Sequence, residues 1–534
     1  MILKALEKSL LNSPKDIKMI LEHLPSDLES TYANFLCDIP IQHRVDAIKL
    51  LNLVLGSSQP LKLDELNIAF TITTDYTSER TVWSNRQLKM AHSVQGILGQ
   101  LVRISESGVS LVHQSAKDFL LNPTSRLNDP LSKDFNFSST TASRALASSC
   151  IYYLLLEELA VDLFSSEASL HESVSEASDE SETLDIGLFL EHDPLSLEDD
   201  TIFKDTRVLD RQTCQILSER HRFFNYAAFN WFEHYSSAED EAPSQLRQAV
   251  LQLLDPREGC CTNWLRYYLV KSHLDLSVLE QLDTILLAAY LDLPGILTEH
   301  LAADEAYSQH GKDRALFWAA LRGSSRAVRE LLAVNAYPNA SYLDGQTAIV
   351  VAAQNGHVDC VKLLLADART DINACGLSGR TALSLAYAYG HFEVFEALWN
   401  RMDCQRNSID KTKSTPLFWA VGGGHRNIMT RTLKGPDVNV NHQDKTGRSA
   451  ISWAAGDEVE VSIKLLLRNS RVDPNLKTEE ANLHCYGQRL KVKLMHWRFF
   501  CRRPVGIVMK LLCSYCSNMN TLVSTTLTAT ARVH

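Results

Sequence analysis

The sequence predicts a mainly α-helical chain, in which a winged-helix and helical region precedes a solenoid of stacked helix pairs. Three observations support this. Most apolar residues recur at helical spacing between capping and glycine signals. One short stretch, residues 101–112, reads instead as two strands about a Ser-Glu-Ser-Gly turn. From about residue 284 a helix–turn–helix pattern repeats, with Thr347, Thr381, Thr415 and Ser449 at intervals of 34.

At 534 residues the chain exceeds one core, and roughly one domain per 100–200 residues gives three or four units. Apolar residues make up 45% and charged residues 22%, enough to bury a core in most parts. No run of about 18 apolar residues occurs, so no membrane-spanning helix is expected. The opening MILKALEKSLLNSPKD interrupts its apolar residues with Lys4, Glu7 and Lys8 and does not read as a secretory signal. A cytoplasmic location is therefore expected, with the nucleus as the alternative, and the twelve cysteines are expected to be free thiols. The net charge of −11 is uneven: nine Lys/Arg and two Asp/Glu from Leu476 onward (+7) leave −18 for the rest. So acidic a body is a poor general binder of nucleic acid.

The first 137 residues are expected to be compact and mostly helical. Ser13-Pro14-Lys15-Asp16 combines an N-cap, a first-turn proline and an acid. Ser26-Asp27-Leu28-Glu29 is a capping box that opens a helix to about Cys37. A third helix, about Arg44 to Leu55, carries Val45, Ile48, Leu51 and Leu55 at helical spacing, and Gly56-Ser57-Ser58 stops it. LDELNIAF starts a short fourth. Helices closed by the hairpin of residues 101–112 describe a winged helix, whose candidate recognition helix, residues 93–101, carries no Lys or Arg to neutralise phosphates.

Another helix is expected over 141–160. Residues 165–200 hold twelve Asp/Glu and no Lys or Arg, so repulsion and scarce apolar area favour a disordered acidic insertion. Residues 205–280 return to helix, with Phe223, Phe224, Tyr226, Phe229, Trp231 and Phe232 clustered as core. The expected organisation is thus 1–137, 138–280 with the insertion at 165–200, repeats over 281–475, and an irregular basic tail over 476–534.

GQTAIVVAAQNGHVDCVKLLL, GRTALSLAYAYGHFEVFEALW, KSTPLFWAVGGGHRNIMTRTL and GRSAISWAAGDEVEVSIKLLL align with one another, and DRALFWAALRGSSRAVRELL lies about 33 residues before the first of them. A weaker copy begins near Thr284. Their period and pattern resemble the ankyrin repeat over about 190 residues. The residue types suit that fold. A Thr or Ser hydroxyl caps the first helix. Ala319-Ala320 and Ala352-Ala353 admit close neighbours, and Gly356, Gly390 and Gly424 turn the chain. Leu363-Leu364-Leu365 and Leu465-Leu466-Leu467 are expected to fill the second-helix core. Glu458 replaces the turn glycine in the last clear copy, so that unit is expected to be less stable or to begin a cap. Each unit buries its apolar face on its neighbours alone.

The resemblance implies a protein partner held at loop tips and the inner helix face. Tyr342, Asp344, Leu377, Ser378, Lys411, Lys413 and Lys445 are the tip candidates. Trp318, Trp419 and Trp453 share one repeat position, either as packing between repeats or as a contact row.

His113, Ser115 and Asp118 in LVHQSAKDFLL invite a catalytic reading. On one helix, however, Ser115 would stand about 200° and Asp118 about 140° from His113, so the three do not converge. No G-x-S-x-G elbow supports them. Ala116, Phe119 and Leu120 form the expected buried stripe. LPSDLESTYANFL, QPLKLDELNIAFTI and LVHQSAKDFLL resemble the region after the nucleotide-binding core of fungal NACHT–ankyrin proteins, signalling ATPases of the STAND class. The likeness is strongest over residues 1–122 and continues weakly to about 235. It implies that His113 is the strand-ending histidine that touches a nucleotide's β-phosphate, although Gln114 departs from the frequent aspartate. A purely structural histidine is the other reading. No G-x-x-x-x-G-K-[ST] occurs in this sequence, so nucleotide binding would require a core supplied upstream or in trans. The chain is then either a truncated gene model or a product that kept only the relay and the reader.

The tail holds His484, Cys485, His496, Cys501, Cys513 and Cys516, whose spacings match no standard zinc module. Its basic run KVKLMHWRFFCRR and Thr-rich end suggest an unspliced or frame-shifted segment in place of further repeats. The expectation is therefore a non-enzymatic interaction protein, with no cofactor, no metal and no membrane. Two alternatives stand beside it: a fragment of an active NACHT-type ATPase, and a nucleic-acid regulator acting through the winged helix or basic tail.

Overall fold

A computed structural model describes residues 28–122, 135–164, 211–272, 283–303, 307–342, 345–456, 459–474 and 476. The Ser13 signal, the start of the Ser26 capping box, the acidic insertion, Glu458 and the tail lie outside the described residues. Contacts divide the chain into two compact units, 1–300 and 301–534.

The first unit begins with α1 (Leu28–Cys37), α2 (Arg44–Gly56), α3 (Leu63–Thr71), α4 (Glu79–Asn85) and α5 (Met90–Leu98). Strands β1 (Val102–Ser105) and β2 (Gly108–Leu111) pair antiparallel, with Val102 opposite Leu111 and Ser105 opposite Gly108. Helix α6 (Gln114–Leu121) follows at once and buries Ala116, Phe119 and Leu120, the expected stripe. In α2 the expected face holds in part: Leu51 and Leu55 are buried, but Val45 is 76% exposed, and Ala47, Leu50, Leu53 and Val54 are buried as well. The cause is tertiary, because α2 is covered both by α3 and by α7 (Ser139–Leu154).

Helix α7 is the spine of this unit. It packs on α2 and on α8 (Phe224–Ser236), burying Leu146, Ala147, Cys150, Ile151 and Leu154. The aromatic cluster is core, as its density suggested, apart from Phe229, which is half-buried. Phe223 meets the Tyr153 ring edge-on at 5.3 Å, and Trp231 meets Trp264 likewise at 5.3 Å. Trp264 lies on α10 (Gly259–Lys271), and its indole N–H donates to the Leu253 carbonyl at the end of α9 (Ser244–Leu253), 3.1 Å away. The pair α11 (Thr284–Tyr290) and α12 (Pro294–Ala303) is tied to the same body. The buried Glu239 carboxylate accepts the Ile296 N–H at 3.0 Å, and the Ser236 hydroxyl donates to the Asp292 carbonyl at 3.0 Å.

The second unit is a stack of helix pairs. They are α13–α14 (Gln309–Arg322, Ser325–Ala333), α15–α16 (Ala348–Gln354, Val358–Ala366), α17–α18 (Ala382–Tyr389, Phe392–Trp399), α19–α20 (Pro416–Gly422, Arg426–Leu433) and α21–α22 (Ala450–Gly456, Glu460–Leu467). First helices pack on neighbouring first helices, and second helices on second. Ala319, Ala320, Ala352 and Ala353 are fully buried at the close approaches. Of the two leucine triplets, only Leu364 and Leu466 are buried, since successive residues turn about 100° around a helix and cannot share one face. The capping expectation holds for Thr381, whose hydroxyl accepts the Ser384 N–H. The hydroxyls of Thr347 and Thr415 are buried with no hydrogen-bond partner, although the backbone there has the extended N-cap conformation.

Two side-chain ladders lock the stack, and both repeat with its period. Asn339, Asn373, Asn407 and Asn441 each reach the next loop with the whole amide. Asn373, for example, donates to the Asp403 carbonyl at 2.8 Å and accepts the Gln405 N–H at 2.8 Å. Asn339, Asn407 and Asn441 repeat the pattern at 2.7–2.8 Å. The rings of His357, His391 and His425 bond the carbonyls of Leu321, Gln354 and Ala388 in the preceding pair, at 2.9–3.0 Å. Each ring fills the space beside a left-handed glycine, where a Cβ on Gly323, Gly356 or Gly390 would lie within 2.6 Å of it. In the last pair Val459 replaces the histidine beside Gly424.

Candidate protein-binding surface

The loops between helix pairs end in tight hairpins, registered side by side. The Lys411 N–H donates to the Ser378 carbonyl at 3.0 Å, and the Lys445 N–H to the Thr412 carbonyl at 2.8 Å. Two buried aspartates hold these tips from within. Asp410 accepts the N–H groups of Thr412 (2.8 Å) and Ser414 (2.9 Å) on one oxygen, and the Trp419 indole N–H (3.1 Å) on the other. Asp444, one repeat later, accepts the N–H groups of Thr446 (2.8 Å) and Arg448 (2.9 Å) and the Arg448 guanidinium (3.0 Å). Burial works against the Asp444 charge, but the Thr446 hydroxyl and these donors outweigh it and hold its pKa below the ordinary carboxylate value.

With both carboxylates turned inward, the tips present lysines. Lys411, Lys413 and Lys445 are exposed, Leu377 is 61% exposed and Ile409 54%. Ser378 is exposed beside Leu377. Asp344 lies outside the described residues. Tyr342 is less a tip residue than expected. Its hydroxyl donates to the His310 carbonyl at 3.1 Å and its ring packs on Phe317, and burial with nearby Asp313 pushes its pKa up to about 12.

Below the tips the tryptophans resolve into separate settings. The Arg380 guanidinium lies over Trp419, 3.6 Å from the ring centroid. Trp453 meets Trp419 edge-on at 5.6 Å, and Arg448 lies 5.6 Å from the Trp453 centroid. The result is a half-buried strip, Arg380–Trp419–Trp453–Arg448, continuous with the lysine tips through Asp410. Trp318 is also half-buried, edge-on to Phe317, and takes no part in that strip. Arg380, Arg448 and the two aspartates were not singled out from the sequence, although the 34-residue spacing of Asp410 and Asp444 was there to be read.

The first unit offers one further feature, around His113. The residue is not inside the helix but is its N-cap, with extended backbone, so its ring folds back over the first turn. Nδ1 accepts the Ser115 N–H at 3.2 Å and lies 2.8 Å from the Ser115 hydroxyl, which in turn contacts the Tyr32 hydroxyl at 2.9 Å. The three residues do not converge, as expected, but Ser115 does come to His113, because helical angles do not apply to a cap. Asp118 stays apart from them and accepts from the Gln114 amide at 3.2 Å. Ser57, Ser58, Gln59, Val109, His113 and Lys117 line a shallow cleft of about 180 Å³. Small-ligand pockets usually measure roughly 300–1,000 Å³, and one imidazole with one ammonium does not by itself enclose a nucleoside phosphate. Among the described residues no helix is long and apolar enough to cross a membrane, and no group of three or more His, Cys, Asp or Glu is placed to hold a metal ion.

Comparison with known proteins agrees with the repeat geometry. A profile described as "Ankyrin repeats" matches three overlapping stretches, residues 286–374, 316–408 and 368–441. The "Azaphilone pigments biosynthesis cluster protein L" of Monascus ruber is 24% identical over 160 residues, which cover 29% of this chain and 33% of that protein. The chain thus matches about a third of that relative's length. The protein is mainly α-helical and carries ankyrin repeats, modules that typically bind proteins without catalysis, in its C-terminal part.

Proposed function

We propose that this chain is a non-enzymatic interaction protein whose ankyrin array grips a protein partner through the tips around residues 376–380, 410–414 and 444–448 and the tryptophan–arginine strip below them. The observation that carries the reading is one buried aspartate, Asp410, that accepts both from the backbone of the lysine-bearing tip and from the half-buried Trp419 indole, so that tip and strip form one continuous surface. Large rigid rings stacked with arginine, at the centre of a polar rim, suit a protein contact.

The unit before the array supplies the relay in this proposal. Helices α2–α5, the β1–β2 hairpin and α6 take the place of a NACHT-associated winged helix, and the process is STAND-type signalling or fungal nonself recognition. The support is the likeness of residues 1–122 to fungal NACHT–ankyrin proteins and the position of His113 at a strand-to-helix junction. His113 acts as a nucleotide sensor only where a nucleotide-binding core is provided upstream or in trans.

Capture tests the binding reading. The chain and a Leu377→Asp, Ile409→Asp variant are immobilised and exposed to extract from a filamentous fungus. A retained protein should be lost from the variant while its helical circular dichroism and melting midpoint persist. Equal retention overturns this placement of the surface, and ATP turnover by the purified chain alone overturns the non-enzymatic reading.

A further inference from the structure

Lys413 occupies a glycine's place. Residues 345, 379 and 447 are glycines with φ of +71°, +76° and +74°, and Lys413, at the same position of its own tip, has φ of +57°. A lysine in this left-handed conformation is strained where its three counterparts are not. Its carbonyl accepts from the His442 ring at 2.8 Å, so the backbone is held while the ammonium stays exposed. Lys411 is two residues away on the same tip, and Lys445 is registered on the next. Among the described residues no carboxylate pairs with these three ammoniums, since the aspartates of both tips are buried and committed to internal donors. Leu377 and Ile409 stand exposed on and beside the tips.

From this placement we propose that the tips bind an acidic protein segment that carries apolar side chains among its carboxylates. The carboxylates meet Lys411, Lys413 and Lys445, and the apolar side chains lie against Leu377 and Ile409. The charges are complementary, and the exposed Leu377 and Ile409 beside the lysines suit a segment that carries apolar residues as well as carboxylates. Nucleic acid fits less well. The Trp419 face that would stack a base is covered by Arg380 at 3.6 Å, and three lysines neutralise few phosphates. The proposal rests on the array being the binding surface and goes further by naming the partner's chemistry.

The test uses the full chain and a fluorescent peptide alternating glutamate with leucine, beside one with glutamine for glutamate. Anisotropy should show the glutamate peptide binding at least ~10-fold tighter at ~0.15 M salt, with affinity falling as salt rises. The Lys411→Glu, Lys413→Glu, Lys445→Glu variant should abolish that preference. Lys413→Gly should weaken the glutamate peptide several-fold while raising the melting midpoint, an opposition that a merely structural lysine would not produce. Equal binding of the two peptides, indifference to charge reversal, or tighter binding of a single-stranded oligonucleotide of equal charge overturns the proposal. If the charge-reversed chain still retains the partner that Leu377→Asp, Ile409→Asp loses, the acidic-segment idea fails and the array reading survives. If both variants retain it, both fail.

Discussion

Each unit is held together internally, and the two rely on contacts of opposite reach. In the first, the Ser58 hydroxyl donates to Asn230, 172 residues away, the Ser149 hydroxyl donates to the Ala69 carbonyl across 80, and the Glu79 N–H donates to Glu158 across 79. In the array, the asparagine bonds span 30–32 residues and the histidine bonds 36–37. One body is a packed core whose parts depend on one another. The other is a chain of neighbours whose stability is approximately a sum of unit and interface contributions. Damage should therefore spread through the first and stay local in the second.

Trp231→Ala should have the largest effect. The ring is fully buried against Trp264, and emptying such a site costs about 3–5 kcal/mol. Amide protection should fall throughout the described helices of the first unit and persist in the array. A matching fall in both units would break the contrast.

Acid should act next. Burial drives the His234 pKa down to about 4, and the ring sits 3.0 Å from the Tyr226 hydroxyl. The unfolded chain takes up this proton near pH 6.5, so stability is complete above that value and is lost as pH falls from ~6.5 to ~4, by up to ~3 kcal/mol. Denaturant midpoints across that range should drop, and His234→Gln should flatten the slope. Burial also lowers the His357 pKa in the array, so the comparison is sharpest when protection is followed residue by residue.

Asn407→Ala should cost about 1 kcal/mol, by leaving the Asp437 carbonyl and Asn439 N–H to water, and hydrogen exchange should rise only in the two adjoining loops. Lys413→Gly is the smallest effect and has the opposite sign. Relief of the left-handed backbone, less the greater freedom of glycine in the unfolded chain, should add about 0.5–1 kcal/mol. A loss of stability there would show that the lysine stem packs rather than strains.

Particular residues show where sequence reading stops. The buried stripe of α6 was legible because Ala116, Phe119 and Leu120 obey one helical period. Leu51 and Leu55 of the α2 stripe were legible too, whereas the burial of Ala47, Leu50 and Val54 was missed because α2 is covered on more than one side, and periodicity cannot count the covers. His113 and Ser115 were separated by an angle that belongs to helix interiors, whereas a cap follows its own dihedrals. The asparagine ladder and the lysine in a glycine's place were visible as 34-residue spacings but acquire meaning only from the carbonyl and the φ they meet.

The sequence by itself determined that two-helix units recur from about residue 284 and how far apart they stand. These are consequences of local periodicity and turn chemistry, which a single strand of text contains. Tertiary structure alone decided that Asp410 and Asp444 turn inward while the neighbouring lysines face water, and that Arg380 lies on Trp419 from the preceding repeat. Burial and pairing depend on atoms about a repeat away, and no pattern within one unit can specify which of its polar groups those atoms will satisfy.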